Sequence, residues 1–314
     1  MKKKEKILIT SAGSLSANYL IEKLKENNII IAIDIYDIEL LTIDHKNISK
    51  FYKVPQTVDE EKFLESIVKI VKVEKISFIL PLTDIDVDFF SKYRLLFRNQ
   101  CVAISNVKSI KYARDKFKFY QKFLNEDVNL IKTYLKREIK EGAMIYPSIA
   151  KPRNGRSSVD NFIINNLNDL NYSLITENHI VQPYIDGEII AIDVVSDSSY
   201  NFVYCARKEL IRSKNGYGIT VQYVHQSEKL YDIIRKIIKI TSLQGLFNIE
   251  LIYADEKYFL MDINPRPSAG LVFSHIFGYN FAAIIIDIYF KDKLDTNFKY
   301  SGIEIIKRSY HELY

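Results

Sequence analysis

Apolar and amphipathic segments alternate through roughly the first hundred of the 314 residues. Three short apolar runs, Lys6–Thr10, Ile29–Asp34 and Ile76–Leu80, are predicted strands. Between them, Ala17–Lys25 and Glu60–Val71 carry apolar residues at helical spacing. Parallel strands need long crossover connections, which are usually helices, so this alternation predicts a parallel sheet covered by helices.

The turn after the first predicted strand, Ser11-Ala12-Gly13-Ser14, lies where a dinucleotide-binding fold holds the pyrophosphate. The corresponding fingerprint needs three glycines, and this turn contains only one of them. An NAD-dependent dehydrogenase is therefore the least favoured interpretation of the chain.

A second turn, Pro81-Leu82-Thr83-Asp84, follows a predicted strand directly, and two interpretations of it are open. In one, Asp84 caps a structural turn. In the other, the turn forms a wall of a substrate cleft, because α/β sheets place ligands at the carboxyl ends of their strands.

Two alternating apolar runs, Phe247–Tyr253 and Tyr258–Ile263, flank a short polar segment and predict a β-hairpin. Its strands carry two carboxylates, Glu250 and Asp262, among Phe, Ile, Leu and Met. A buried charge without a partner costs several kcal/mol, so we expect a cation beside them. The alternative is that both carboxylates line the solvated face of an edge hairpin.

Side-chain alternation decides whether the two carboxylates meet. Asn248 and Glu250 share one face of their strand. Asp262 and Asn264 share one face of theirs. A three-residue loop, Asp255-Glu256-Lys257, would set Glu250 opposite Asp262, and a two-residue loop would separate them, so we predict the three-residue loop. The oxygens that then converge suit Mg²⁺, which also binds substrate phosphates.

Composition argues against several classes of protein. The formal net charge of +5 comes from interspersed lysines and glutamates without a long basic block, so nucleic acid is not an indicated partner. No apolar run has the length of a membrane span, and the run after the N-terminal lysines is too short for a signal peptide. Cys101 and Cys205 lack metal or redox spacing and are expected to be buried thiols. We expect a cytoplasmic protein without a membrane partner.

The order Glu250, Asp262 and then Asn264-Pro265-Arg266 resembles the metal-binding end of the ATP-grasp superfamily. The chain is most similar to the branch that contains the carbamoyl phosphate synthase large subunit and small carboxylate–amine ligases. The resemblance implies ATP and Mg²⁺ as cofactors, with Mn²⁺ as an alternative metal. It implies Glu250, Asp262 and Asn264 as the metal ligands. It also gives Arg266 a catalytic contact to the transferring phosphoryl group.

The resemblance further implies a fold class that combines α/β and α+β parts. A Rossmann-like pre-ATP-grasp domain would occupy residues 1–106, and a two-lobed ATP-grasp domain would occupy residues 107–314. In the second domain we expect a mobile lid lobe at about 118–187 and a metal-binding catalytic lobe at about 188–314. A homodimer through the first domain is also expected.

Basic residues earlier in the chain match the family in order. Ser109 to Asn125 is a predicted helix with a basic residue near its start, and a predicted strand ends in Lys151-Pro152 before a polar loop. Backbone N–H groups in such a loop suit an anion, although relatives usually carry two or three glycines there and this loop has one. The resemblance implies catalytic roles for Lys151 and Arg207. It implies ATP-phosphate contacts from Lys116, Lys151, Gly155, Ser157 and Ser158.

The segment from Gln182 to Glu188 resembles the hinge whose backbone meets the adenine ring. The resemblance implies nucleotide contacts from Gln182, Tyr184 and Ile185. Relatives often place a ribose-binding Glu where this chain has Ile189. Glu188 takes that role only if the register shifts, because neighbours on a strand face opposite sides.

Cations and oxygen ligands dominate the collected residues, and no serine or cysteine stands in a nucleophile motif. Such a set suits phosphoryl transfer, which depends on positioning and charge neutralisation. The resemblance implies a ligase that activates a substrate carboxylate as an acylphosphate and joins it to an amine, forming an amide or peptide bond and releasing ADP and phosphate. Amino acids are the expected substrates. The alternatives are an ATP-grasp phosphotransferase or carbamate-activating enzyme, and a catalytically inactive ATP-binding regulatory protein.

Overall fold

The computed structural model describes residues 4–139, 144–155, 160–166 and 175–309. Within these ranges the strands form a parallel sheet of five strands, a large antiparallel sheet of six and a small antiparallel sheet of four. Over the same residues, no helix combines the length and the apolar character that a membrane span requires.

The parallel sheet contains the early strands of the chain, and three helices connect them. The strands are β1 (Lys6–Ile9), β2 (Ile29–Asp34), β3 (Lys50–Lys53), β4 (Phe78–Leu80) and β5 (Cys101–Val102), and the helices are α1 (Ala17–Leu24), α2 (Glu60–Glu74) and α3 (Asp84–Lys92). The strand order is β3-β2-β1-β4-β5, which confirms the predicted alternation and the Rossmann-like fold of this part. The pattern did not indicate β3, which carries a lysine at each end, or β5, which has two residues.

Two helices, α4 (Val107–Arg114) and α5 (Lys116–Phe123), follow the parallel sheet. The prediction of one helix from Ser109 to Asn125 is therefore wrong. Asp115 interrupts it with an extended backbone (φ −112°, ψ 104°), and its carboxylate caps α5 by accepting two backbone N–H groups. The predicted domain limit at residue 106 falls on the residue before α4, and the limit itself stays a prediction.

The remaining strands form the two antiparallel sheets. The small sheet has the order β6-β9-β7-β8, with β6 (Tyr134–Leu135), β7 (Ser148–Pro152), β8 (Phe162–Ile164) and β9 (His179–Pro183). The large sheet contains β10 (Glu188–Ser196), β11 (Phe202–Arg212), β12 (Gly218–Val224), β13 (Gly245–Ala254), β14 (Lys257–Asn264) and β15 (Ile305–Lys307), in the order β14-β13-β10-β11-β12-β15. The helices of this part are α6 (Glu228–Thr241), α7 (Leu271–Ile276) and α8 (Phe281–Lys291).

The parallel sheet shares a hydrophobic core with the C-terminal helices. Ile7 and Ile9 of β1 lie in one buried cluster with Phe281 and Ile285 of α8. Leu8, on the other face of β1, lies in a cluster with apolar side chains of α2 and α3. Since apolar burial is the main stabilising term in folding, the two predicted domains are joined by a common core and not only by a linker.

The hairpin of β13 and β14 closes through a shorter loop than predicted. Ala254 pairs with Lys257, so the loop contains only Asp255 and Glu256, and the predicted three-residue loop is wrong. The two loop residues have φ values of 48° and 59°. Positive φ at both positions gives a turn whose twist matches that of antiparallel strands, which favours the two-residue loop.

A β-bulge restores the predicted meeting of the carboxylates. Leu251 pairs with Leu260, whereas Glu250 pairs with Asp262, so Met261 is an extra residue in β14. The extra residue turns Asp262 to the face on which Glu250 lies. The predicted opposition of the two carboxylates is thus confirmed, although the odd residue lies in the strand and not in the loop.

A pair of glycines provides a test of the C-terminal packing. Gly278 and Gly302 both have positive φ, at 106° and 84°. A Cβ on Gly278 would lie 2.0 Å from the carbonyl oxygen of Lys299, whereas a Cβ on Gly302 would meet no atom within 4 Å. We expect Gly302→Ala to lower the free energy of unfolding by about 1 kcal/mol through backbone strain alone.

Gly278→Ala adds the clash to that strain and should cost roughly 3 kcal/mol. Urea unfolding followed by circular dichroism would measure both variants against the parent chain. Equal losses for the two variants would contradict the described packing of the C-terminal segment on Gly278.

Candidate active site

A cavity of about 600 Å³, called here the first cavity, has walls from the small and the large antiparallel sheets. The beginnings of α3 and α5 complete the wall through Asp84 and Lys116. Most of the site residues predicted from the sequence line this cavity: Lys116, Lys151, Gly155, Gln182, Tyr184, Ile185, Arg207, Glu250, Asp262, Asn264 and Arg266.

Three predicted residues are not among the described lining. Glu188 is exposed and forms an ion pair with Lys208, while its neighbour Ile189 lines the first cavity. This arrangement follows from strand alternation in β10. Ser157 and Ser158 lie outside the described residues.

The paired carboxylates have the cationic partners that the sequence analysis expected. The Nζ atom of Lys116 lies 3.0 Å from an oxygen of Asp262. An Nη2 atom of Arg212 lies 3.4 Å from an oxygen of Glu250. Desolvation still raises the pKa of Glu250, and the nearby carboxylates of Glu209 and Asp262 act in the same direction. The pair would therefore gain from further positive charge in the cavity.

Hydrogen bonds orient the amide of Asn264. Its Nδ2 donates to Oδ1 of Asn248 at 3.2 Å, and Nδ2 of Asn248 donates to the carbonyl of Ile192 at 3.1 Å. Nδ2 of Asn248 also lies 3.4 Å from the buried carboxylate of Asp193. With its nitrogen used in this way, Asn264 presents its oxygen as the atom for a hard cation.

The oxygen atoms of Glu250, Asp262 and Asn264 suit Mg²⁺. Among the described residues, no group of three or more His, Cys, Asp and Glu side chains could hold a metal ion. Glu250, Asp262 and Asn264 would instead supply two carboxylates and one amide oxygen. An incomplete oxygen set is typical of Mg²⁺, which keeps several waters and shares substrate phosphates with the protein.

Lys151 lies on β7 with only 8% of its surface exposed. Burial, together with the charge of Lys116, lowers its pKa to about 8, against the opposing effect of Asp262 and Glu250. The start of α5 is fixed beside the end of the same strand, because the Lys116 N–H donates to the carbonyl of Arg153 at 3.0 Å. Two lysines therefore lie near the two carboxylates in the cavity.

Hydrogen bonds hold Arg207 in the wall of the cavity. One guanidinium nitrogen donates to Asp193 at 2.7 Å, and another donates to Ser268 at 3.1 Å. Asp193 is fully buried and also accepts a hydrogen bond from Ser274 at 2.7 Å. Burial alone would lower the pKa of Arg207, but Asp193 and Glu209 outweigh it and raise that pKa. Arg207 thus stays charged in a fixed position.

Sequence reasoning missed Glu209 and Arg212, which extend this set of charges. Arg212 Nε lies 2.7 Å from Glu209, and the same guanidinium reaches Glu250. The register of β11 shifts between Glu209 and Ile211 and again before Arg212. Without such a bulge, simple alternation would place Arg212 on the face opposite Arg207, so alternation alone could not reveal it.

Asp84 joins the parallel sheet to the first cavity. Its carboxylate pairs with Arg266 at 2.9 Å and with Arg114 at 3.2 Å. The cap of α3 is Thr83, which forms a capping box with Asp86, so the interpretation of Asp84 as the capping residue is wrong. The other interpretation, in which this turn forms a cleft wall, agrees with the structure.

The segment expected to meet adenine is fixed by contacts inside the small sheet. Gln182 is buried and donates through Nε2 to Thr133 at 2.8 Å. The backbone N–H of Tyr184 donates to the carbonyl of Pro147 at 2.9 Å, so this N–H is not available to a ligand. Nucleotide contact from this segment stays a prediction and would rely on its other backbone groups.

Known proteins resemble the chain in sequence. It is 25% identical over 182 residues to the D-alanine–D-alanine ligase of Petrotoga mobilis, covering 52% of this chain and 60% of the relative. It is 22% identical over 318 residues to the arginine-specific carbamoyl phosphate synthase large chain of Halalkalibacterium halodurans, covering 92% of this chain and 30% of the relative. The chain therefore spans less than two thirds of the length of these curated relatives.

A solved structure and a family match agree with these relatives. The fold superposes on a biotin carboxylase–β-γ-ATP complex from Campylobacter jejuni with a TM-score of 0.78 and 18% identity, covering 96% of this chain and 75% of that one. The ATP-grasp domain family matches residues 113–270, which are half of the chain. The resemblance seen in the sequence is confirmed, and this chain belongs to the ATP-grasp family.

Proposed function

We propose that this chain is an ATP-dependent ligase that activates a substrate carboxylate as an acylphosphate and joins it to an amine. The amide or peptide bond would form with release of ADP and phosphate. The observation that carries the proposal is the convergence, in one cavity, of an oxygen-ligand set with two lysines and two arginines. Phosphoryl transfer draws its catalysis from such positioning and charge neutralisation.

In this proposal the ligand set and the two lysines bind the nucleotide tail. Glu250, Asp262 and Asn264 hold Mg²⁺, which when bound neutralises charge on the ATP phosphates. Lys116 lies 3.0 Å from Asp262 and 3.4 Å from the carbonyl of Gly155, so it stands between the ligand set and the loop after β7. Lys151 adds a second charge for the phosphates from the buried side of the cavity.

The arginines would act on the transferring group. Arg207 is already fixed by Asp193 and Ser268, so it needs little rearrangement as charge develops on the γ-phosphoryl group. Arg266 is fixed by Asp84 and would contact the same phosphoryl group while the substrate carboxylate attacks it. The acylphosphate then carries phosphate as a leaving group, and attack by the amine nitrogen expels it.

Amino acids are the substrate class that we propose, because a relative is a D-alanine–D-alanine ligase. A screen of amino-acid pairs with Mg²⁺ and ATP, followed by coupled ADP release, tests this. Release that needs both an acid and an amine supports the ligase. Release with the acid alone would favour the phosphotransferase alternative instead.

One observation favours a second candidate, an ATP-binding regulatory protein without turnover. Ile189, and not a carboxylate, lines the cavity at the position expected for ribose recognition. Binding of an unreactive ATP analogue without ADP release for any substrate pair would support this candidate.

A homodimer through residues 1–106 also stays a prediction, which sedimentation velocity would test.

The metal assignment is tested by Asp262→Asn. The substitution keeps the shape of the side chain and removes one charged ligand, so we expect ADP release to fall about 100-fold or more. Asp255→Asn is the matched control, because Asp255 lies in the two-residue loop of the same hairpin. Undiminished turnover in Asp262→Asn would rule out this ligand set.

Lys151 should make nucleotide binding depend on pH. With its pKa at about 8, Lys151 is mostly charged at pH 7 and mostly neutral at pH 9 in the free protein. Bound phosphates favour the charged form, so affinity for an unreactive ATP analogue with Mg²⁺ should fall about tenfold between these pH values. Titration calorimetry at pH 9 should show proton uptake on binding.

Lys151→Arg is the control for this effect. Arginine keeps its charge over the whole range, so the variant should lose both the pH dependence and the proton uptake. If Lys151→Arg and the parent chain show the same pH dependence, another group must be responsible.

A further inference from the structure

A second cavity, of about 700 Å³, lies at the carboxyl ends of β1, β2 and β4. This edge of a parallel sheet, where the strand order reverses, is the usual ligand position in α/β folds. The lining of the second cavity shares no described residue with that of the first. The proposed ligase reaction leaves the second cavity unused.

The second cavity is unsuited to phosphate. Three N–H groups of the turn after β1 have acceptors within the protein: Ala12 donates to Ile33 at 3.0 Å, Gly13 to Asp34 at 2.8 Å and Ser14 to Ser11 at 2.9 Å. Among the described lining residues there is no Lys, Arg or His, whereas two carboxylates are present, Asp34 and Asp86. A pyrophosphate would therefore meet a carboxylate and no cation, and the N–H groups of Ala12, Gly13 and Ser14 would already be occupied, which also argues against a dinucleotide.

The same wall is suited to hydroxyl groups. Asp34 ends β2, the strand position from which a carboxylate receives the ribose hydroxyls in dinucleotide folds. Each of its oxygens accepts one backbone N–H, from Gly13 at 2.8 Å and from Tyr36 at 3.1 Å. A carboxylate has about four acceptor positions, so two remain for hydroxyl donors.

The rest of the second cavity is mainly apolar. Leu41, Val54 and Phe63 are buried lining residues. Tyr36 and Val58 also line it, with 57% and 87% of their surfaces exposed. Apolar side chains exposed at a concave site are typical of a ligand-binding surface, and a flat, apolar ring would cover them.

We propose that the second cavity binds a nucleoside without phosphate, with the ribose hydroxyls on Asp34 and the base against the apolar wall. The three features that carry this are the carboxylate at the end of β2, the occupied N–H groups of Ala12, Gly13 and Ser14, and the lack of cations in the described lining.

The bound nucleoside would act on the first cavity through one turn of α3. Thr83, Ile85 and Asp86 line the second cavity, while Asp84 between them lines the first. Asp86 accepts hydrogen bonds from Ser11 at 2.7 Å and from Thr83, and so ties the turn after β1 to this segment. Movement there would reach Arg266 through Asp84. This effect on activity rests on the proposed function, whereas the binding does not.

Calorimetry with adenosine, guanosine, cytidine and uridine tests the binding. The parent chain would first be saturated with Mg²⁺ and an unreactive ATP analogue, so that the first cavity is filled. At least one nucleoside should then bind at one site per chain. Its 2′,3′-dideoxy form should bind about tenfold more weakly or worse, because a hydrogen bond to a charged group is lost. If none of the four nucleosides binds, or if ADP or NAD binds there as tightly, the proposal is wrong.

Two variants locate the site. Val58→Trp adds bulk at the exposed rim and should weaken the nucleoside about tenfold, whereas Val73→Trp, an exposed position on α2 outside the lining, should not. Asp34→Asn should reduce the difference between the nucleoside and its dideoxy form. Unchanged binding in Val58→Trp, or an undiminished dideoxy effect in Asp34→Asn, would overturn the assignment.

Discussion

Compensation of buried charge is the constraint on which the site depends. Carboxylates and cations alternate along the large sheet. A buried charge without an opposite partner would lower the stability of the fold by several kcal/mol. Arg212 lies 3.4 Å from Glu250, a candidate metal ligand, so the structural ion pairs and the ligand set form one network. Replacing a single member would leave its neighbours uncompensated. The series runs through Asp193, Arg207, Glu209, Arg212 and Glu250.

Two bulges bring this network to one face, and they mark the limit of what the sequence could reveal. By alternation, Glu250 and Asp262 can lie opposite each other only if an odd number of unpaired residues lies between them, and the predicted three-residue loop met this condition. Turn geometry then placed that odd residue at Met261, inside β14. The extra residues, Met261 in β14 and Leu210 between Glu209 and Ile211 in β11, are not glycines and carry no other local sign of a bulge. Arg212 was missed for the same reason, since its direction depends on a register shift in β11.

The local sequence pattern predicted the main strands of the parallel sheet. It did not predict the contacts through which this sheet contributes to the first cavity. Strands buried on both faces are continuous apolar runs, so β1, β2 and β4 were recognisable. The pairing of Asp84 with Arg266 joins residues 182 positions apart, and no periodicity records such a contact. The residues matched to a family motif fared better, because a motif already includes tertiary placement. Lys116, Lys151 and Arg207 reached the same cavity from three different elements.

The distribution of the cores gives a physical basis for the predicted mobile lobe. The parallel sheet and the C-terminal helices share one apolar cluster, which resists relative movement. The small antiparallel sheet has a separate cluster of Ala150, Ile164, Ile175 and Val181. Its connection to α5 is partly polar, through the pair of Asp115 with Arg153 at 2.7 Å, and partly apolar, through a small cluster of Phe117 with Leu135 and Ile180. Polar contacts exchange readily with water, whereas a shared core does not. Closure around a nucleotide should therefore move the small sheet and leave the wall between the two cavities in place.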